Sequence, residues 1–366
     1  MAATESNPAC LVIGAGPAGL ATAACLRSAG VSADLVDRAG EPGGAYREIY
    51  QHITLASPAA LDSLPGLPLQ TPGTYLTAGD YRAYLRRYAA HAGLEIERGQ
   101  VRSVRRTASS DGTPDGFVVD AGDRSWRARF VVVATGMWGN PVVPAIPGLD
   151  SCGVPFLHAR DWRGPRSISA GATGDAAPAL LVVGGATSAV EIAEETATAG
   201  LPVTLAVRSR LHVARQSFLG RDVHHWIGPV AALPSWVAPG HCAHRPTLPG
   251  TDRGFSRLRA QGRISLRPAL ARVDPGGDAS FADGGRARFG AIVAATGYTF
   301  ATPFLPADVT RAPAGHLLAR HAESLSWPGL FVVGTPCADR LDSEFLRGIA
   351  RDAATVSRTI AARLRA

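Results

Sequence analysis

Short apolar runs recur along the chain at 10–13, 33–36, 130–133, 180–183, 291–295 and 330–333, each closed by glycine or other small or acidic residues. Unbroken runs of this length read as parallel strands buried on both faces. Stretches of helical character lie between them: 17–29 with Gly30 as its stop, an amphipathic stretch at 78–92, and a C-terminal stretch at 343–364. Residues 9–37 therefore predict one βαβ unit and 179–208 a second. The fold expected is α/β, built from two Rossmann-like dinucleotide-binding domains.

Weaker signals fill the remainder. Residues 94–104 read as a strand, and 111–129 as a hairpin-like segment with Phe117, Val118, Val119 and Trp126 as its strand residues. Pro58, Pro65, Pro68 and Pro72 mark a loop, and the Gly-, Ala- and Ser-rich stretch 168–178 reads as a surface linker. Residues 211–250 are the least regular, with Trp226, Trp236, His224, His225, His241, His244 and several prolines. Substrate access or a subunit contact is expected there. The histidines lack metal-ligand helical spacing and read as loop residues, so no metal is expected.

Two glycine-rich loops sit where each βαβ unit turns from strand to helix. The first is Gly14-Ala15-Gly16-Pro17-Ala18-Gly19; the second, Gly184-Gly185-Ala186-Thr187-Ser188-Ala189, is a degraded copy. In such a turn the first glycine allows the bend, the second lets backbone approach a pyrophosphate, and the third lets helix pack on strand. Asp37, at the end of the next strand, is placed to bond both ribose hydroxyls and repels a ribose phosphate, which favours FAD or NAD in the first site. Ala186 crowds the pyrophosphate in the second. No acid follows the second strand there; Arg208 and Arg210 stand instead, where cations meet a 2′-phosphate, so NADPH is preferred over NADH.

With 366 residues, and roughly 150 residues per domain as a guide, two domains are expected. The net charge of +7 comes from arginines spread along the chain, which argues against nucleic acid as a partner. The five cysteines are scattered without a CxxC pair, so neither a disulfide framework nor a zinc ribbon is expected, and Cys337 reads as a packing thiol. Residues 1–8 carry no signal-peptide pattern and no apolar run reaches a membrane span. A soluble, cytoplasmic protein is the expectation.

These residues resemble the flavin-containing monooxygenases, FAD- and NADPH-dependent enzymes with two dinucleotide domains, over nearly the whole chain. Residues 14–19 with Asp37 resemble the family's FAD fingerprint, and Gly43-Gly44-Ala45-Tyr46, followed by Arg47, its GGxW segment with tyrosine for tryptophan. Ala134-Thr135-Gly136 and Ala295-Thr296-Gly297-Tyr298 resemble its two interdomain linkers; 328–334, ending in Gly334, and 345–349 resemble its closing strand and helix. Residues 151–162 are similar to its FxGxxxHxxx(W/Y) linker, keeping Gly153, His158 and Trp162, but lack the first aromatic and carry one extra residue before the histidine. The resemblance adds Val101 on the FAD side and Glu191 on the NADPH-side helix as cofactor contacts. It implies an FAD domain at 1–160 and 285–366, with an NADPH domain at 161–284 inserted between.

The activity it implies is transfer of one oxygen atom from O2 to a small organic substrate through a flavin hydroperoxide. N- or S-oxygenation stands ahead of Baeyer–Villiger insertion, because the longer N-terminal region of many Baeyer–Villiger enzymes is missing. Several family members place an asparagine beside the flavin after the GGxW segment; 54–58 has none, which leaves Ser57 as a candidate donor and His158 as the other catalytic candidate. Two alternatives stay open: an NADPH oxidoreductase or oxidase without a stable hydroperoxide, and a non-catalytic redox sensor. A homodimer is compatible with the sequence.

Overall fold

In a computed structural model, residues 4–71, 73–108, 110, 114–169, 179–244 and 249–366 are described. The expected surface linker at 168–178 falls mostly outside them.

Two parallel sheets carry the chain. In the first, Cys10–Ile13 lies between Phe130–Val133 and Ala33–Asp37, with Leu330–Val332 beyond one neighbour and Glu97–Arg98 beyond the other. Ala319–Arg320 and Glu323–Ser324 extend it antiparallel. In the second, Leu180–Val183 lies between Ala291–Ala294 and Val203–Ala206, flanked by Phe156–His158 and Ile264–Arg267. Both central strands are buried at every position, as parallel strands covered on two faces must be. The order of the four strands from Phe130–Val133 to Glu97–Arg98 repeats from Ala291–Ala294 to Ile264–Arg267, but the outer strand differs, entering last in chain order in the first sheet (Leu330–Val332) and first in the second (Phe156–His158). Each domain also places an antiparallel meander before its flanking strand, Ser103–Ala108 to Arg124–Ala128 in the first and Leu270–Asp274 to Arg286–Arg288 in the second.

The apolar cores separate cleanly. One cluster draws on residues 9–134 and 304–364, and the C-terminal helix Leu346–Arg365 packs its Ile349, Val356 and Ile360 into it beside the helix Pro17–Ser28. Two more, on opposite faces of the second sheet, draw on 146–295, with Tyr50 the one residue recruited from the first domain. Phe156–His158 and Ala291–Ala294, which the sequence placed with the FAD domain, thus pair in the second sheet, because the crossovers that close it start and end outside 161–284.

The two connections run side by side. Val142 donates its N–H to Gly297 O at 3.0 Å, Thr299 donates to Asn140 O at 3.0 Å, and Pro141 faces Tyr298 in an antiparallel bridge.

Other local expectations shift. The strand expected at 94–104 is two, Glu97–Arg98 and Ser103–Ala108, and the segment after Gly43 is a single 3-10 turn, Gly44–Arg47. Within 211–250 there is more order than the sequence suggested: Val213–Arg215 pairs with Gly250–Asp252, and Val223–Ala231 is a helix carrying His224 and His225, capped by the Asp222 carboxylate. The cysteine expectation is overturned. Cys242 and Cys337, 95 residues apart, form a disulfide, because the fold lays 211–244 against the segment after Gly334; Cys10, Cys25 and Cys152 are free. Such a contact leaves no spacing signal in the sequence. Among the described residues no helix is long and apolar enough to cross a membrane.

Candidate functional site

The first loop is shaped by what its glycines exclude. Gly14 takes φ +105°, and a Cβ on it would stand 2.6 Å from Ala134 O. On Gly19 a Cβ would meet Gly14 O at 1.7 Å, so the helix Pro17–Ser28 lies directly on the turn. Gly16 differs: Gly44 Cα, at 3.8 Å, is the one atom within 4 Å of its Cβ position. No side chain caps this helix at Gly16, so the N–H groups of its first turn face outward, where an anion would be held. Gly334 closes the site from the far side, its Cβ position 2.9 Å from Ala18 Cβ. A pyrophosphate fits this cradle.

Gly43 and Gly44, at φ +129° and +51°, run beneath the loop, with Gly43 N–H donating to Ala15 O at 2.9 Å. Asp37 accepts from Ala15 N–H and Ala39 N–H, each at 2.9 Å, and pairs with Arg47 at 3.2 Å. The Asp37 carboxylate and the Arg47 of the GGxW-like segment are therefore one buried unit, a contact the sequence did not reveal. Val101 is half-buried at the core's edge, just after Gly99, whose N–H bonds Asp37 O. Tyr46 packs edge-on against Tyr81 with centroids 4.8 Å apart.

The second loop repeats the first contact: a Cβ on Gly184, at φ +143°, would stand 2.2 Å from Ala295 O. Ala134 N–H bonds Ile13 O and Ala295 N–H bonds Val183 O, so the two Ala-Thr-Gly segments are structural equivalents. Ala186 occupies the helix start without a side-chain cap, half-buried Thr187 and Ser188 follow, and Ala189 is fully buried against the strand. The donor set fits a second pyrophosphate, with one methyl more at the middle position. Arg208 and Arg210 are exposed beyond the strand Val203–Ala206, without an ion-pair partner among the described residues.

His158 ends its strand and is buried. Its Nδ1 accepts from Arg160 N–H at 3.1 Å, so the ring proton sits on Nε2, which donates to Gly297 O at 3.1 Å. Burial pushes its pKa below the ordinary value, outweighing the Gly297 bond. This neutral imidazole ties its strand to the second linker. Nearby, Trp162 donates to the Glu195 carboxylate at 2.9 Å. A cleft of about 570 Å³ opens between the linker's Arg160, Asp161 and Arg163 and the segment Arg47, Glu48, Tyr50 and His52, so both motif segments line one space.

Ser57 is not a free donor: its hydroxyl donates to Asp62 Oδ1 at 2.6 Å. Asp62 is fully buried, and burial pushes its carboxyl up to about 7 against the opposing Ser57 bond and Arg347 charge. Burial also raises Glu191, in the second helix, to about 7, against Arg253, and Asp352, in the C-terminal helix, to about 7. Nothing in the local sequence marks Asp62 or Asp352. Among the described residues no group of three metal-binding side chains is found.

The profile of the pyridine nucleotide-disulphide oxidoreductase family matches residues 11–232. The indole-3-pyruvate monooxygenase YUCCA1 of Oryza sativa subsp. japonica is 27% identical, covering 96% of this chain and 91% of its own. A flavin-containing monooxygenase from Stenotrophomonas maltophilia superposes with TM-score 0.79 at 25% identity, over 98% of this chain and 99% of that one. A bacillithiol disulfide reductase from Staphylococcus aureus shares the fold at TM-score 0.73 and 16% identity, over 98% and 99%.

Gly19→Ala is expected to cost about 1–3 kcal/mol or more in a denaturant melt, since its Cβ has no space. Gly16→Ala should keep wild-type stability yet weaken FAD binding by roughly tenfold, ~1.4 kcal/mol, in a fluorescence titration of apoprotein. A raised carboxyl pKa means the folded state holds a proton that the unfolded state has lost between about pH 4 and 7. That stability is present below pH 4 and is lost as pH rises through about 7. Glu191→Gln should therefore melt above wild type at pH 8 and level with it at pH 4, as read by calorimetry.

Proposed function

The chain belongs to the pyridine nucleotide-disulphide oxidoreductase family, and within it we propose an FAD- and NADPH-dependent monooxygenase that places one oxygen atom of O2 on a small organic substrate. The observation that carries this reading is the repeated glycine-under-carbonyl contact, Gly14 on Ala134 and Gly184 on Ala295, which builds two dinucleotide cradles in one chain. Likeness to flavin monooxygenases over nearly the full length of both chains supports the oxygen chemistry. Bound FAD would accept hydride from NADPH and activate O2, so the protein needs no nucleophile of its own.

The chain's residues bind and orient. The helix start at Pro17 and the loop 14–19 hold the FAD pyrophosphate, with Asp37 at the adenosine ribose and Arg47 fixing that carboxylate. The helix start at Thr187 holds the NADPH pyrophosphate, and Arg208 and Arg210 take its 2′-phosphate. His158 sets the second linker through Gly297 O. Segment 211–244 and Arg253 meet residues 54–56: Gln216 donates to Ala56 O at 3.2 Å, Arg253 donates to Leu55 O at 2.8 Å, and Tyr75 bonds Asp222.

A soft nitrogen or sulfur is the acceptor read first from the sequence. A carbonyl carbon is the second reading, which the indole-3-pyruvate monooxygenase relative favours. NADPH oxidised, O2 taken up and oxygenated product formed should be equal in amount with a substrate of the right class, tested on amines, thioethers and 2-oxo acids. Peroxide release with every substrate would instead identify an oxidase. Arg208→Ala with Arg210→Ala should raise the KM for NADPH by roughly tenfold and leave NADH unchanged, the loss of one to two charge-assisted hydrogen bonds.

A further inference from the structure

Segment 211–244 starts in the second domain, where Leu211 and Val213 pack on the core and Val213–Arg215 pairs with Gly250–Asp252; beyond Arg215 it lies against the first domain without a core of its own. Its helix Val223–Ala231 buries no residue, and Phe218, Leu219, Trp226, Ile227, Val230 and Trp236 are exposed. Hydrogen bonds hold it instead. At one end lie the Gln216 and Tyr75 contacts; at the other, Ser235 N–H donates to Asp339 O at 2.9 Å, Leu341 N–H to Leu233 O at 3.1 Å, and the Arg340 guanidinium to Ala232 O at 2.9 Å. The one covalent tie is Cys242–Cys337. It joins the far end of the segment to the stretch between Gly334, which packs on the FAD loop's Ala18, and the C-terminal helix. Cys337 itself takes φ +54°, a conformation non-glycine residues seldom adopt, so bonds and not local preference hold this stretch in place.

We propose that Cys242–Cys337 is a thiol–disulfide exchange site that latches segment 211–244 onto the FAD domain, and that a dithiol reductant opens it. Cys242 is half-buried and Cys337 buried, which directs attack to Cys242. The incoming thiolate bonds to Cys242 Sγ as the sulfur–sulfur bond breaks, and Cys337 leaves as a thiolate that takes a proton. The second thiol of the reductant then displaces Cys242, which is protonated in turn. The disulfide gains two electrons and the reductant ends as its own disulfide. With the tie gone, hydrogen bonds alone hold the part of the segment after Arg215, which has little burial, and it opens locally. The latch is independent of which atom the enzyme oxygenates and of whether it transfers oxygen at all.

The test uses the full-length flavoprotein purified in air, with dithiothreitol as the probe. Alkylation after denaturation should modify three cysteines, Cys10, Cys25 and Cys152, before reduction and all five afterwards. In the native reduced protein, trypsin cleavage after Arg215 and Arg221 should quicken by about tenfold, because cleavage follows the population of the locally opened state. Cleavage elsewhere and the far-UV circular dichroism should be unchanged, and reoxidation should restore protection. Cys242→Ser should be cleaved quickly with or without reductant, while the wild-type comparison before and after reduction stands without that variant. Five modifiable cysteines before reduction, an unchanged cleavage rate after complete reduction, or faster cleavage throughout both domains would each overturn the proposal.

Discussion

An alanine carbonyl lying where a glycine Cβ would be is the constraint on which both nucleotide sites depend. In each sheet the central strand and its neighbour end level, Ile13 beside Val133 and Val183 beside Ala294. The next carbonyl, of Ala134 or Ala295, therefore projects onto the turn leaving the central strand. A residue without a side chain turns there, and the helix that follows begins above the sheet's edge with its N–H groups outward. Sheet register thus fixes where an anion binds. Glycine is costly in chain entropy, by roughly 0.5–1 kcal/mol within regular structure, but the strands flanking the turn are buried throughout and offset it.

The two copies diverge where they would touch phosphate. In the first, the middle position is Gly16 with little beside it, and the third is Gly19 pressed on the turn; in the second, Ala186 and Ala189 stand there. Alanine at the third position is fully buried. Alanine at the middle position adds a methyl at the start of the second helix, where the first loop has none. Arg208 and Arg210 are exposed beyond the strand that follows the second helix, where the first unit has the buried Asp37.

Much of this was legible in the sequence because it rests on local rules. The apolar runs gave strands, glycines at fixed offsets gave the turns, and Asp37 and the Ala-Thr-Gly segments fell where expected. The resemblance to flavin-containing monooxygenases agrees with the relatives found. What escaped was long-range. The pairing of Arg47 with Asp37, the claim of Asp62 on the Ser57 hydroxyl, and the joining of Cys242 to Cys337 each bring together residues whose own neighbours say nothing of the partner. Scattered cysteines without a CxxC pair excluded a local motif, but they could not exclude a bond formed across 95 residues.

The same separation of local from long-range terms governs how the domains are held. Their cores do not merge, since Tyr50 alone crosses from the first into the second. The joint is instead two linkers paired by backbone hydrogen bonds, with Gly297 O accepting from both Val142 N–H and the neutral His158 ring, joined by the Arg160–Glu48 ion pair, the Arg253 guanidinium on Leu55 O and the Cys242–Cys337 disulfide. Polar and covalent contacts between named groups therefore do at this joint what apolar packing does inside each domain, and burial keeps the His158 imidazole in the neutral form that can both accept from Arg160 N–H and donate to Gly297 O.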